Sequence, residues 1–226
     1  MPQPSASQSD KTASHWPLVI CLGLVAAIAP LSIDMYLPSF PAIAEEFGAS
    51  AAQIQLTLSG YMIGFTLGQL GYGPLSDRFG RKYVLLSGIT IYIAMTVLCA
   101  VASDTETLTV FRFFQAIGGG AGTVLSRAII RDRYDGVQMA KVMSLMLTII
   151  LFAPMVAPVI GGYVLVWFGW RAVFWTLVIL VRWRLPWYCS ASKRACRPNA
   201  EAGRGCVPCC GATPRFLPTA RLLVTF

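Results

Sequence analysis

Gly73-Pro74-Leu75-Ser76-Asp77-Arg78-Phe79-Gly80-Arg81-Lys82 is a short, charged, glycine-punctuated stretch between two apolar runs. The first run ends near Leu70 and the second begins at Tyr83. Three cations and one carboxylate in so tight a hairpin fix the side of a membrane that it faces. They also hold two helices at a set angle. The stretch therefore predicts a loop between two membrane-crossing helices.

Composition agrees. The chain has 226 residues, of which 56% are hydrophobic and 12% charged, about half the charged fraction usual in a soluble domain. This is the balance of an all-α, polytopic membrane protein whose partner is the lipid bilayer. The formal charge of +8 is unevenly spread. Residues 1–181 carry 10 Lys/Arg against 9 Asp/Glu, and residues 182–226 carry 8 against 1. The basic surplus belongs to the tail, so no nucleic-acid partner is expected.

Upstream of the hairpin, residues 1–15 are Ser/Gln/Pro-rich and form no core. No cleavable signal is evident, because the apolar run from Trp16 is long enough to span. Residues 16–36 make the first span, with Asp34 as its one charge and a kink expected at Pro30. Leu37-Pro38-Ser39-Phe40-Pro41 ends it, and Glu45 and Glu46 fall in the loop. Residues 51–71 make the second span. Gly60, Gly64 and Gly68 recur every four residues there, so one face allows close helix contact.

Downstream, residues 83–102 form a third span and residues 107–130 a fourth. The fourth contains Arg112, Gln115 and the run Gly118-Gly119-Gly120-Ala121-Gly122. Residues 139–167 form a fifth, with Pro154, Pro158, Gly161 and Gly162. A sixth begins at Ala172 but is cut short after Val181. Arg182 and Arg184 arrive where its centre should be, at about 2.5–3.5 kcal/mol each. From there the chain is rich in Arg, Cys, Pro and Ala without helical or strand period. Charge, cysteine content and periodicity change together inside one helix. The expectation is a half-domain over 16–181 and an aberrant, basic, Cys-rich tail over 182–226 read in a shifted frame.

Loop charge sets orientation. Arg78, Arg81, Lys82, Arg127, Arg131, Arg133 and Lys141 fall on one side, and Lys11 agrees. Glu45, Glu46, Asp104 and Glu106 fall on the other, with Arg171. The positive-inside rule makes the N-terminus and the hairpin cytoplasmic. An internal echo supports paired halves. Gly73, Phe79-Gly80 and Lys82 match Gly162, Phe168-Gly169 and Arg171 at one offset, as an inverted three-plus-three repeat requires.

No nucleophile–base constellation and no phosphate-binding glycine loop is present, so no enzyme is expected. Cys189, Cys196, Cys206 and Cys209 can be drawn as a four-cysteine zinc site. No framework surrounds them, and no metal is expected.

The motifs carry a resemblance. Gly73-x-Leu75-x-Asp77-Arg78-x-Gly80-Arg81-Lys82 resembles the loop signature of the major facilitator superfamily. Leu108-x-x-x-Arg112-x-x-Gln115-x-x-Gly118 is similar to the fourth-helix signature of its proton-coupled members. Pro154-x-x-Ala157-Pro158-x-x-Gly161-Gly162 is similar to the fifth-helix signature of drug/proton antiporters, with Ala157 where a glycine is usual. Asp34-x-x-Leu37-Pro38-x-x-Pro41 resembles a first-helix signature of twelve-helix drug exporters. Ser126-Arg127-Ala128-Ile129-Ile130-Arg131-Asp132 is typical of the Bcr/CflA subfamily, which residues 34–180 resemble as a whole.

The resemblance implies the N-terminal six-helix half of a transporter of the bacterial inner membrane. It would export small hydrophobic or cationic drugs against protons by alternating access, driven by the proton gradient without a cofactor. Asp34 would carry the proton, since a carboxylate in a desolvated cavity takes up and releases one. Arg112 would tune it, and their similar depth allows the two to pair. Snorkelling of Arg112 to the interface is the competing reading. Gln115 would line the cavity, and Asp77, with Arg78 or Arg81, would bias the gate. Two other readings stand beside this one. The chain is a truncated, non-transporting polypeptide that meets a partner through the Gly60/Gly64/Gly68 face, or a six-helix homodimer.

Overall fold

The computed structural model describes residues 16–195, with side chains over 18–183. All regular structure among them is helical. The elements are α1 (Trp16–Ala26), α2 (Ile28–Asp34), a 3-10 turn (Leu37–Ser39), α3 (Phe40–Phe47), α4 (Ala51–Phe79), α5 (Arg81–Ala100), α6 (Thr105–Arg133), α7 (Gly136–Phe168) and α8 (Trp170–Ala195).

The first span breaks where proline chemistry demands. Pro30 has no N–H for the Ala26 carbonyl, and the helix interrupts at Ala27. Thr123 of α6 donates its hydroxyl to that carbonyl at 3.5 Å. Glu45 and Glu46 are not in a loop. They sit on α3, a short helix that Pro41 starts and Gly48 ends at φ +60°.

The opening stretch is not a loop either. α4 runs through Pro74 to Phe79, and α5 starts at Arg81. Gly80 alone makes the corner, at φ +88°. Such a backbone favours glycine, so one residue reverses the chain and leaves no room for a loop. The same device recurs between α7 and α8, where Gly169 stands alone at φ +80°. Gly80 N–H reaches Ser76 O at 3.0 Å, and Gly169 N–H reaches Leu165 O at 2.9 Å. The sequence echo between these segments thus corresponds to two equivalent corners.

The starts of α4 and α6 are capped by side chains. Ser50 and Gln53 form a reciprocal capping box at the start of α4. Asp104 accepts from Thr107 N at 2.7 Å at the start of α6. The sixth helix does not stop at Val181. The backbone of α8 stays helical through Arg182 and Arg184 to Ala195, and Arg182 is half-buried. Cys196, Cys206 and Cys209, and the side chain of Cys189, lie outside the described residues, as do residues 1–15.

α6 is the hub. Its glycine run lets neighbours close in from several directions. A Cβ on Gly118 would fall 2.6 Å from Tyr92 N of α5, and one on Gly122 would fall 2.7 Å from Val25 O of α1. α4 packs on a further flank. Gly60, Gly64 and Gly68 face Thr109, Phe113 and Ile117 in turn, and a Cβ on Gly64 would land on the Phe113 carbonyl. The small-residue face of α4 is therefore filled by α6 and is not free for a partner. Main-chain contact of this kind is how helices associate where lipid is as apolar as the side chains.

Leu18–Phe47, Arg81–Ala100 and Gly136–Phe168 are long and apolar enough to cross a membrane by composition. α4 and α6 are 29 residues each, about 43 Å at the usual rise, against about 30 Å of hydrocarbon. They are less apolar because their polar and glycine positions meet inside the bundle. α7 shows the opposite pattern. Leu151, Phe152, Met155, Val159, Val166 and Trp167 are all exposed.

Candidate functional site

The site grows from Arg112. It lies two turns into α6, and its side chain is fully buried, with 0% exposure. Snorkelling is thereby excluded. The guanidinium carbon sits 3.9 Å from the Tyr36 ring centroid, 4.7 Å from Tyr61 and 5.5 Å from Phe174. Three rings, from the turn after α2, from α4 and from α8, enclose the cation. A desolvated contact of this kind contributes about 2 kcal/mol.

The polar partners of Arg112 are neutral. Both terminal nitrogens donate to Ser32 O at 3.3 Å. That carbonyl is available because the first span tightens there. Met35 N–H bonds Leu31 O and Tyr36 N–H bonds Ile33 O, and the acceptor between them is passed over. Arg112 also donates to Gln115 Oε1 at 3.0 Å, and Gln115 Nε2 donates to Thr96 Oγ1 at 2.8 Å. Arg112 Nε has no hydrogen-bond partner.

Asp34 does not pair with Arg112. The ion pairs among the described residues are Arg81–Asp77, Arg81–Asp132 and Arg171–Glu46. Asp34 is half-buried at the last position of α2, two residues past the carbonyl that Arg112 holds. Similar depth by residue count was a poor guide, because the tightened turn presents Ser32 O to Arg112 instead. Gln115 is also fully buried. Its amide is committed to Arg112 and Thr96, so it orients Arg112 rather than facing an open cavity.

A second polar layer surrounds this centre. Ser32 Oγ bonds Tyr92 OH. Tyr36 OH and Thr57 Oγ1 lie 2.8 Å apart, and Tyr61 OH donates to Ala29 O at 3.3 Å. Sequence reasoning missed Tyr36, Tyr61, Phe174, Ser32 and Thr96. A faint signal existed, since Ser32, Thr57 and Thr96 interrupt apolar spans at comparable depth. Nothing in the pattern indicated that the rings face a cation.

The motif residues elsewhere are not in this cluster. Asp77 pairs with Arg81 at 3.3 Å, and Arg81 reaches across to Asp132 on α6. Arg78 does not pair with Asp77 but lies over the Phe79 ring at 5.5 Å. Gly73 and Lys82 are half-buried. On α7, Gly161 abuts Met35, where a Cβ would fall 2.6 Å from the carbonyl oxygen. Gly162 faces open space. Pro154 is exposed and Pro158 half-buried within a continuous helix. No cluster of potential metal ligands occurs among the described residues.

Three long apolar helices, glycine-lined contacts and an aromatic-caged intramembrane arginine define a polytopic helical membrane protein with an internal polar centre. The Major Facilitator Superfamily profile matches residues 22–181, and the chain belongs to that family. It is 44% identical over 165 residues to an uncharacterized MFS-type transporter, YdgK, of Bacillus subtilis (strain 168), covering 72% of this chain and 41% of that protein. It is 37% identical over 171 residues to a bicyclomycin resistance protein homolog of Haemophilus influenzae, covering 76% and 43%. It is 36% identical over 162 residues to the multidrug resistance protein MdtL of Escherichia coli O157:H7, covering 72% and 41%. The matched segment thus spans less than half of each of these relatives. A bacterial homolog of the human lysosomal transporter Spinster, solved inward-facing and unoccupied, shares the fold. Its TM-score is 0.62 at 19% identity, covering 93% of this chain and 47% of that one.

Proposed function

We propose that the chain is the N-terminal half of a proton-driven drug exporter of the bacterial inner membrane, with its N-terminus cytoplasmic. The observation that carries this reading is Arg112. A fully buried guanidinium without a carboxylate is costly, and an ionisable residue inside a membrane segment marks a pathway. The rings and the Ser32 carbonyl hold the cation in place, with Asp34 close by in the chain. Asp34 carries the proton, and the fixed positive charge of Arg112 favours its release when the two approach. Gln115 and Thr96 keep Arg112 oriented. The resistance proteins among the relatives support small hydrophobic or cationic drugs as cargo.

A lone half encloses no two-sided pathway, so residues 1–226 alone export nothing. The abrupt change at Arg182, next to the end of the family match at Val181, supports a shifted frame downstream. The first experiment translates the coding DNA from codon 175 in all three frames. A second set of apolar spans in another frame is expected, and polar sequence in every frame would overturn this. In the restored chain, Asp34→Asn should abolish drug-induced proton release. Arg112→Lys should weaken it, and Gln115→Leu should shift its pH profile. Unchanged proton release in Asp34→Asn would overturn the role of Asp34. Proton-dependent efflux in cells expressing only residues 1–226 would overturn the half-transporter reading.

A further inference from the structure

The cation-rich end of the bundle carries charge that the ion-pair network leaves over. α4 and α6 run parallel and in register, since Gly60, Gly64 and Gly68 meet Thr109, Phe113 and Ile117 at a fixed difference of 49 in residue number. Both helices advance about 1.5 Å per residue. Continuing that register puts Arg78 at the depth of Arg127. Arg131 follows one turn beyond Arg127 on the same flank. The Arg81–Asp132 pair brings the start of α5, with Lys82, beside the end of α6.

Arg78, Arg127 and Arg131 are exposed and Lys82 is half-buried. None of the four belongs to an ion pair among the described residues. Asp77 and Asp132 at this end are both engaged by Arg81, and Asp135 stands exposed at the start of α7. Two aromatic rings flank the belt. Phe79 is 58% exposed and Tyr83 59%, as residues at a membrane–water interface are.

We propose that Arg78, Lys82, Arg127 and Arg131 bind the phosphodiester headgroup of an anionic phospholipid in the adjoining leaflet. Guanidinium forks match phosphate oxygens in pairs. Phe79 and Tyr83 set the depth at which the headgroup lies. The lipid phosphate balances the cations that the Arg81 network leaves over, so it anchors this end of the bundle to the leaflet. The inference depends on the chain being embedded in a bilayer and not on transport.

The test uses the full 226-residue chain purified in a neutral detergent. It counts co-retained phosphatidylglycerol against phosphatidylcholine by native mass spectrometry. Phosphatidylglycerol should be preferred, and the preference should fall about fivefold for each cation neutralised among Arg78→Gln, Arg127→Gln and Arg131→Gln. The Arg→Lys set at the same positions keeps the charge and should keep most of the preference. If the glutamine variants do not fold, salt on the unaltered chain decides, and the preference should fall as salt rises. Equal retention of the two lipids, or a preference that neither salt nor neutralisation moves, would overturn the proposal. So would full displacement by millimolar inorganic phosphate, which would make free phosphate the ligand.

Discussion

The corners at Gly80 and Gly169 use the same backbone device and are secured by different physics. At each, a long helix ends, one glycine at positive φ turns the chain, and the next helix starts at once. The first residue after the glycine then differs. Arg81 follows Gly80 and ties Asp77 and Asp132 together in a partly exposed ionic network. Trp170 follows Gly169 and is buried, with its ring centroid 5.5 Å from Phe47 and 6.1 Å from Phe174. Its indole N–H donates to Glu46 at 2.5 Å. Arg171 stacks over Trp170 at 4.3 Å, pairs with Glu46, and donates to Ala102 O at 3.3 Å. One corner is held by charges that water and salt can reach, the other by a packed ring with charges around it.

The largest effect should come from the residue after Gly169, and its counterpart after Gly80 should matter far less. Trp170→Ala should cost about 3–5 kcal/mol, as removal of a buried large ring does. Arg81→Ala should cost about 1 kcal/mol or less, as exposed ion pairs do. Unfolding free energies of the purified chain in mixed micelles measure both, and equal losses would erase the distinction. Next, Gly80→Val and Gly169→Val should each cost about 1–3 kcal/mol, because both place a side chain where only glycine is at ease. A neutral result at either would mean that the two corners do not share a backbone demand.

A smaller effect separates the corners by salt. The Arg81→Ala loss should vanish near 1 M salt, where screening reaches about 3 Å. The Trp170→Ala loss should persist. The smallest effect lies two residues beyond the Ala102 carbonyl that Arg171 holds. There the Thr107 backbone N–H and hydroxyl hold the Asp104 carboxyl below its ordinary value. A lowered folded value stabilises the cap above the ordinary carboxylate range and loses that stabilisation as pH falls below it. Asp104→Asn should keep the cap and flatten this acid limb. An unchanged acid limb would remove Asp104 as its source.

Much of the architecture was legible in the chain. Glycines every four residues on α4 called for a main-chain contact, and the Gly118–Gly122 run called for crowding around α6. Pro30 called for a break, because a missing N–H frees a carbonyl wherever it occurs. These are local consequences of covalent structure, and a linear pattern carries them. Element ends were less legible. Pro74 and the charges around it looked like a loop, yet they occupy helix up to a single glycine. Arg182 looked like the end of a span, yet the α8 backbone continues past it.

What the sequence by itself determined is the class: membrane-crossing helices, the order of their spans, and the small-residue faces that must meet. The family signatures are short and local, so they survive being read in one dimension. What only the tertiary structure decided is the environment of each charge. Tyr36, Tyr61 and Phe174 lie 76, 51 and 62 positions from Arg112, and no spacing rule links them to it. The Ser32 carbonyl became the partner of Arg112 because of one tightened turn. A buried cation is stabilised by whatever dipoles and rings the packing brings to it. That depends on how helices from distant parts of the chain meet.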